Sequence, residues 1–300
     1  MKSHVRQHYI PQFILKNFYC DAQRSTVNFY DIETEKIDMQ FVANTFKEDY
    51  LYSNAGDLIV ENSLSRFELE VAPLFKRLSV ESEIHLTMEE DDKLRIFLSL
   101  LAFRSVNTRN QFRDRIPKTS KAIYGDGSTD FDFEKLWLKN VELISKCRNI
   151  QEITENPQIN DVIKMFIKTE FLGFYMCILE RRGGVDFVIS DCYPAIMNGE
   201  GETPDGKPFQ LPIYYFYPIS DSRLILLVTQ FIADVPRGIA QFDMRTVKGP
   251  RGSFSDKSLV YTPSKIYFDD VEWVNEAIIN NASVGVVVKD RGRRSSHLNI

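Results

Sequence analysis

Cysteine is scarce in this sequence. Four occur among 300 residues, at Cys20, Cys147, Cys177 and Cys192, and none is in C-x-x-C spacing, which argues against a disulfide scaffold or a zinc ribbon and suits a reducing compartment. Long apolar runs are missing too. None approaches the roughly 20 residues needed to cross a bilayer, and no apolar signal segment follows the opening Met-Lys-Ser-His-Val-Arg-Gln-His. These absences predict a soluble, cytoplasmic protein with no membrane partner. The sequence has no G-x-S-x-G elbow, H-E-x-x-H, Walker sequence or G-x-G-x-x-G fingerprint, so serine hydrolases, zincins, P-loop NTPases and dinucleotide enzymes fall down the list. Nor is positive charge in excess: 37 basic side chains stand against 42 acidic ones, a net charge of −5. A nucleic-acid partner, unsupported by the net charge, would need a local basic patch.

Apolar material, in contrast, is ample. Hydrophobic residues make up 43% and aromatic residues 12% of the chain, enough to bury a sizeable core. Thr26–Tyr30 and Ile37–Val42, around a polar turn, read as a β-hairpin. From residue 57 the spacing becomes helical, with Leu64, Phe67 or Glu68, Val71, Leu74 or Phe75 and Leu78 on one stripe and Pro73 expected to break it near residue 72. Thr87 and Glu90 have capping-box spacing ahead of a second helix striped by Leu94, Phe97, Leu98 and Leu101 and running to about Arg115. Residues 133–147 and 161–180 repeat the helical period. After Gly183-Gly184, strands are expected at 185–190, 211–217, 223–229 and 284–288, with a helix at 269–281. Gly199–Pro208 reads as a mobile loop, a candidate lid. The fold class is α+β: an N-terminal β-hairpin, a helical middle, and a mixed or antiparallel sheet in the last third. The simplest organisation is one domain over residues 1–290, with a split near 183 as the alternative, and a basic tail at 291–300.

A few polar residues sit where apolar ones are expected. His8 lies in Gln7-His-Tyr-Ile-Pro-Gln-Phe-Ile-Leu-Lys-Asn-Phe18, whose anchors Tyr9, Phe13, Leu15 and Phe18 should pack the segment down; its imidazole is a candidate general acid or base, or a metal ligand, and otherwise a core histidine. His4 and His8 have the spacing of a helical metal pair, without the carboxylate that would complete a motif. Arg104 falls on the apolar stripe of the second helix, where a guanidinium needs an anionic partner; Glu68 is the natural one. The pair either registers two helices or lets Arg104 hold an anion. Arg109, Arg113, Arg115, Lys118 and Lys121 form a basic run, a solvated face or a phosphate contact. Ser190 and Asp191 end a strand, where polar groups are held rigidly, although a carboxylate before a turn also caps backbone N–H groups.

The opening His8-Tyr9-Ile-Pro11-Gln12-Phe13-Ile-Leu15-Lys-Asn17-Phe18 resembles that of a bacterial domain-of-unknown-function family, number 4238, whose pattern is H-Y-x-P-Q-F-x-L-x-N-F. The likeness continues through Tyr50–Tyr52, Leu64-Ser65-x-x-Glu68, Ala72-Pro73, Arg104–Arg109, Phe187–Asp191, Tyr217–Ser220, Val274-Asn275 and Ala282. Leu101, Val106 and Cys192-Tyr193 depart from the pattern. The resemblance implies a constellation drawn from distant segments: His8, Asp191 and Glu68 as acid, base or divalent-metal ligands, and Gln12, Arg104, Arg109 and Ser190 as substrate contacts. Such a set suits a hydrolase acting on a phosphate-containing substrate, nuclease-like or phosphodiesterase. The alternatives are a non-catalytic module that binds an anionic ligand and a buried network that fixes the fold.

Overall fold

The computed structural model describes residues 6–49, 51–52, 58–113, 132–202, 206, 208–229, 247–252 and 258–289. The basic tail, His4, Arg115, Lys118 and Lys121 lie outside them. The chain begins with β1 (Arg6–His8), α1 (Gln12–Leu15), β2 (Thr26–Asp31), β3 (Lys36–Phe41) and β4 (Lys47–Asp49). Next come α2 (Ile59–Val80), β5 (Ile84–Thr87), α3 (Met88–Arg104), α4 (106–113), α5 (Phe133–Ile144), α6 (Ile150–Glu155) and α7 (Asp161–Leu172). The last third holds β6 (Phe174–Arg181), β7 (Ile189–Ser190), β8 (Ala195–Glu202), β9 (Pro208–Pro218), β10 (Arg223–Thr229), β11 (Ser258–Tyr261), β12 (Ser264–Ile266), α8 (Phe268–Asn281) and β13 (Gly285–Val288). This is the α+β class read from the sequence, with the hairpin formed by β2 and β3 in register from Thr26 opposite Phe41 to Asp31 opposite Lys36.

The elements group into two compact units, each assembled from separate stretches of chain. The first takes the segment up to Tyr9, then Lys47–Pro73 and Glu89–Leu172. It is mostly helical, with β1 and β4 as a short antiparallel pair. Its central element is α3, buried on nearly every side: Ile96, Leu100, Ala102 and Phe103 are as inaccessible as the stripe residues Leu94, Phe97, Leu98 and Leu101. From Ile96 onward the helix is apolar on almost every side, as a segment inside a core rather than on its surface should be. Where the spacing predicts continuation to Arg115, α3 instead ends at Arg104. The Ser105 hydroxyl accepts the Thr108 N–H at 3.3 Å, so this serine caps a new helix, α4, three residues on. The expected break at Pro73 does not occur, since α2 runs through it. Proline frees the carbonyl of Leu69 one turn back, and Leu69 lies on the solvent side of the helix, 75% exposed.

The second unit comprises Ile10–Phe46, Leu74–Met88 and the chain from Gly173 onward. It holds a five-stranded sheet in the order β12-β6-β10-β9-β8 and a four-stranded sheet in the order β3-β2-β13-β7. The five-stranded sheet is mixed, because β12 runs parallel to β6 while the other pairs are antiparallel. Val271, Val274, Ala277 and Ile278 of α8 share one apolar core with Leu179, Phe216, Leu226 and Val286. Three expectations change here. Residues 174–181 are strand β6, not the end of a helix, because they pair with β10 along its whole length; a short apolar run leaves the choice to its partner. Gly199–Glu202 is no free lid: it pairs with β9, Glu200 opposite Gln210. Residues 185–188 are buried but irregular, with Asn275 of α8 accepting the Val188 N–H at 3.1 Å and donating to the Asp186 carbonyl at 2.8 Å where a neighbouring strand would otherwise bond. In the N-terminal anchor, Ile10, Ile14, Leu15 and Phe18 are fully buried, while Tyr9 and Phe13 are half-buried; the turn of α1 faces Ile14 and Leu15 inward.

Arg223, 6% exposed, closes the end of α2. Its Nη1 donates to the carbonyls of Leu78 at 2.9 Å and Glu81 at 2.6 Å, and its Nε and Nη2 donate to Glu180 at 3.1 and 2.7 Å. Carbonyls at a helix end have no partner within the helix, so this side chain supplies one. Glu180 is half-buried and keeps Lys265 at 3.9 Å, so the main loss in Arg223→Met is the donor to two helix-end carbonyls, and about 2–3 kcal/mol is expected to be lost in urea unfolding. A loss below about 1 kcal/mol would show that water replaces the guanidinium without difficulty.

Candidate functional site

Arg104 ends α3 inside the helical unit at 2% exposure. A guanidinium has five donors in a fixed fork and cannot shed its charge, so burial demands acceptors on every side. The structure supplies them: Nε donates to Tyr52 Oη at 2.7 Å, Nη1 to Glu68 at 3.2 Å, and Nη2 to the carbonyls of His8 at 3.3 Å and Tyr9 at 3.5 Å. Its carbon also lies 4.9 Å from the Tyr52 ring centre, close enough for a cation–π contribution. Tyr52 in turn stacks on Trp137 at 6.0 Å, and its backbone N–H donates to the Gln7 side-chain oxygen at 2.5 Å. Burial pushes the Tyr52 hydroxyl up to about 12 despite the arginine, so the phenol stays neutral.

Glu68 and Glu61 lie two helical turns apart on α2, on one face. Burial raises the Glu68 carboxyl, and Arg104 recovers only part of the shift. Burial also raises Glu61, and the neighbouring charge of Glu68 adds to it. Arg109, one turn beyond Arg104, and Arg113 both grip Glu134 of α5, and Arg109 lies over Trp137 at 4.6 Å. Around these rings Gln7 Nε2, Arg109 Nε and Trp137 Nε1 are buried donors without an acceptor among the described residues.

Asp191 is the corresponding centre of the sheet unit, with the sign reversed. Its Oδ1 accepts the N–H groups of Ser283, Val284 and Gly285 at 3.0–3.1 Å, and its Oδ2 accepts the Ser283 hydroxyl at 2.6 Å. The carboxylate thereby fixes the turn that leads into β13, opposite β7. Ser190 donates to the Cys192 carbonyl at 3.2 Å, and the Cys192 thiol is raised chiefly by burial. Of the residues singled out from the sequence, His8, Glu68 and Arg104 come together in the helical unit, His8 through its carbonyl, and Arg109 belongs to that unit. Gln12, exposed at the start of α1, Ser190 and Asp191 belong to the sheet unit. His8 sits on a strand rather than a helix, so the helical spacing of a His4/His8 pair does not apply. Among the described residues no group of three or more His, Cys, Asp or Glu could hold a metal ion.

The sequence reading missed a cleft of about 550 Å³ on the other face of α2, opposite Glu61 and Glu68. Asn62, Ser63, Arg66, Phe67 and Glu70 of α2 line it together with Lys93 of α3 and Ser145–Arg148 beyond α5. Four cations, Arg66, Lys93, Lys146 and Arg148, surround one carboxylate, Glu70, which already receives Lys93 at 3.0 Å. Lys146 is tied to Glu142 at 2.5 Å, whereas Arg66 and Arg148 are exposed and make no ion pair among the described residues. Each cation alone reads as a solvated surface charge; only the meeting of three helices makes them a set.

Fold and site together define an α+β protein with a buried arginine hub and a separate basic cleft in its helical unit. The chain belongs to the family described as "Protein of unknown function (DUF4238)", which matches residues 6–292. No curated protein and no solved structure matches it.

Two outcomes follow from this geometry. Asp191→Asn replaces one acceptor oxygen by a donor facing donors and is expected to cost about 2–4 kcal/mol of stability in urea unfolding; an unchanged midpoint would show that the turn holds without the carboxylate. Because Glu61 keeps its proton more tightly folded than unfolded, its contribution is full below the ordinary glutamate pKa of about 4.3 and is lost as pH rises through the raised folded value. Thermal melts should therefore show Glu61→Gln gaining on the wild type as pH rises from 4 to 8, and parallel curves would contradict the raised carboxyl.

Proposed function

We propose that the chain binds a phosphate-bearing anionic ligand in the cleft between α2, α3 and the end of α5. The observation that carries this reading is the charge count at one cavity: four cations against one carboxylate, on a chain whose net charge is −5. Arg66 and Arg148 are the principal contacts, since a guanidinium fork matches phosphate oxygens two at a time. Lys93 and Lys146 contribute as point charges. Arg104, by contrast, has four of its five donors engaged, so its part is to hold β1 against α3 rather than to grip a substrate.

A second reading, a hydrolase acting on a phosphate-containing substrate, draws support from Glu61 and Glu68. Two carboxyls raised by burial, Glu61 also by the charge of Glu68, are the kind of pair from which acid and base roles divide, and the His8 segment is tied to the same arginine. This pair lies on the face of α2 away from the cleft, which favours binding over turnover at the cationic site.

Titration calorimetry of the full chain with pyrophosphate at low salt is expected to show binding that weakens as salt is raised. Arg66→Ala and Arg148→Ala should each weaken it about tenfold or more, the loss of one charge-assisted contact. Absence of binding by the wild type would remove the reading. Cleavage of a phosphodiester into a phosphomonoester and an alcohol, abolished by Glu68→Gln in a folded variant that still binds pyrophosphate, would put the hydrolase reading in its place.

A further inference from the structure

Resting on the anion-binding reading, we propose that the cleft takes a mononucleotide, with its phosphate among the cations and its base against the α2 wall. A volume of about 550 Å³ falls in the range of sites that enclose a whole small molecule, about 300–1,000 Å³, rather than a bare oxyanion. The lining is also divided as such a ligand requires. Ile59, Phe67 and Cys147 give it an apolar wall. Ile59 is 56% exposed, a branched aliphatic left in water, while the Phe67 ring is fixed edge-on to Phe97 at 5.7 Å and cannot swing away.

Between the wall and the cations stand polar groups of the right kind. Asn62 is exposed, and its amide presents a donor beside an acceptor, the pattern that matches an adenine edge. The Ser63 hydroxyl donates to that of Ser145 at 2.8 Å, and Ser145 donates to the Glu142 carbonyl at 2.8 Å, which leaves lone pairs on the two oxygens to accept from sugar hydroxyls. The planar guanidinium groups of Arg66 and Arg148 can take phosphate oxygens or stack on a base. Residues 59, 62, 63, 66, 67 and 70 recur at helical spacing on one face of α2, so wall, reader and one cation are carried on a single rigid element. Lys93 and the Ser145–Arg148 segment close the site from two others. A simple phosphate would use the cations alone and leave the wall and Asn62 without a role.

The test compares AMP, ribose 5-phosphate, pyrophosphate and a short single-stranded oligonucleotide as probes of the full chain, by calorimetry at one low salt concentration. AMP is expected to bind about tenfold or more tightly than ribose 5-phosphate, a difference of about 1.4 kcal/mol contributed by the base. Asn62→Leu and Ile59→Asp should lower that AMP to ribose 5-phosphate ratio, whereas Arg66→Ala should weaken both ligands together. Equal affinity for AMP and ribose 5-phosphate would overturn the nucleotide assignment and leave anion binding standing; failure of all four probes would overturn both. Tighter binding of the oligonucleotide than of AMP would replace the mononucleotide by a nucleic-acid strand. Circular dichroism melts of each variant confirm that it is folded, and where Ile59→Asp is not, Ile59→Ala serves in its place.

Discussion

A guanidinium buried among aromatic and aliphatic side chains is the constraint around which the helical unit is organised. An arginine cannot neutralise itself as a buried lysine can, so α3 can end in the core only if other segments bring acceptors to it. Glu68 comes from α2, Tyr52 from the segment after β4, and two main-chain carbonyls from the segment after β1. Each is distant in sequence. The arginine thus couples the packing of a short N-terminal strand to that of two long helices, and a slip of any one would leave a charge or a carbonyl buried without a partner.

The sheet unit repeats this logic with other chemistry. Asp191 gathers three successive backbone N–H groups and a serine hydroxyl, Asn275 stands in for a missing strand beside residues 185–188, and Arg223 accepts the role of a helix cap. Glu68, Arg104, Asp191 and Asn275 are among the positions on which the family likeness rests. Those positions hold the backbone together in the structure, so the signature describes how the chain folds at least as much as what it does.

The β2 and β3 segments around their polar turn, the capping spacing before α3 and the apolar stripes of α2 and α8 were legible because local pattern and tertiary packing agree there. The pairing of Arg104 with Glu68 was legible for a related reason: a charge on an apolar stripe must find its opposite. Local pattern failed where a neighbour decides. Nothing in residues 174–181 reveals that β10 will lie beside them, and Pro73 does not show that α2 will run through it. The cleft was illegible in a different way. Arg66, Lys93, Lys146 and Arg148 are unremarkable surface cations one at a time, and their conjunction depends on how α2, α3 and the end of α5 come together.

Separating residues engaged by the fold from residues left for a ligand is therefore the central claim. Buried polar groups that are hydrogen-bonded rigidify a structure, whereas cations that share a cavity and outnumber the carboxylates lining it attract anions from solution. A crystal structure of the full chain grown with pyrophosphate examines this claim most directly. The account predicts pyrophosphate density among Arg66, Lys93, Lys146 and Arg148, with Arg104 still bonded to Glu68 and Tyr52. Density at Arg104 with the Glu68 pair broken, or at the Asp191 turn, would contradict it.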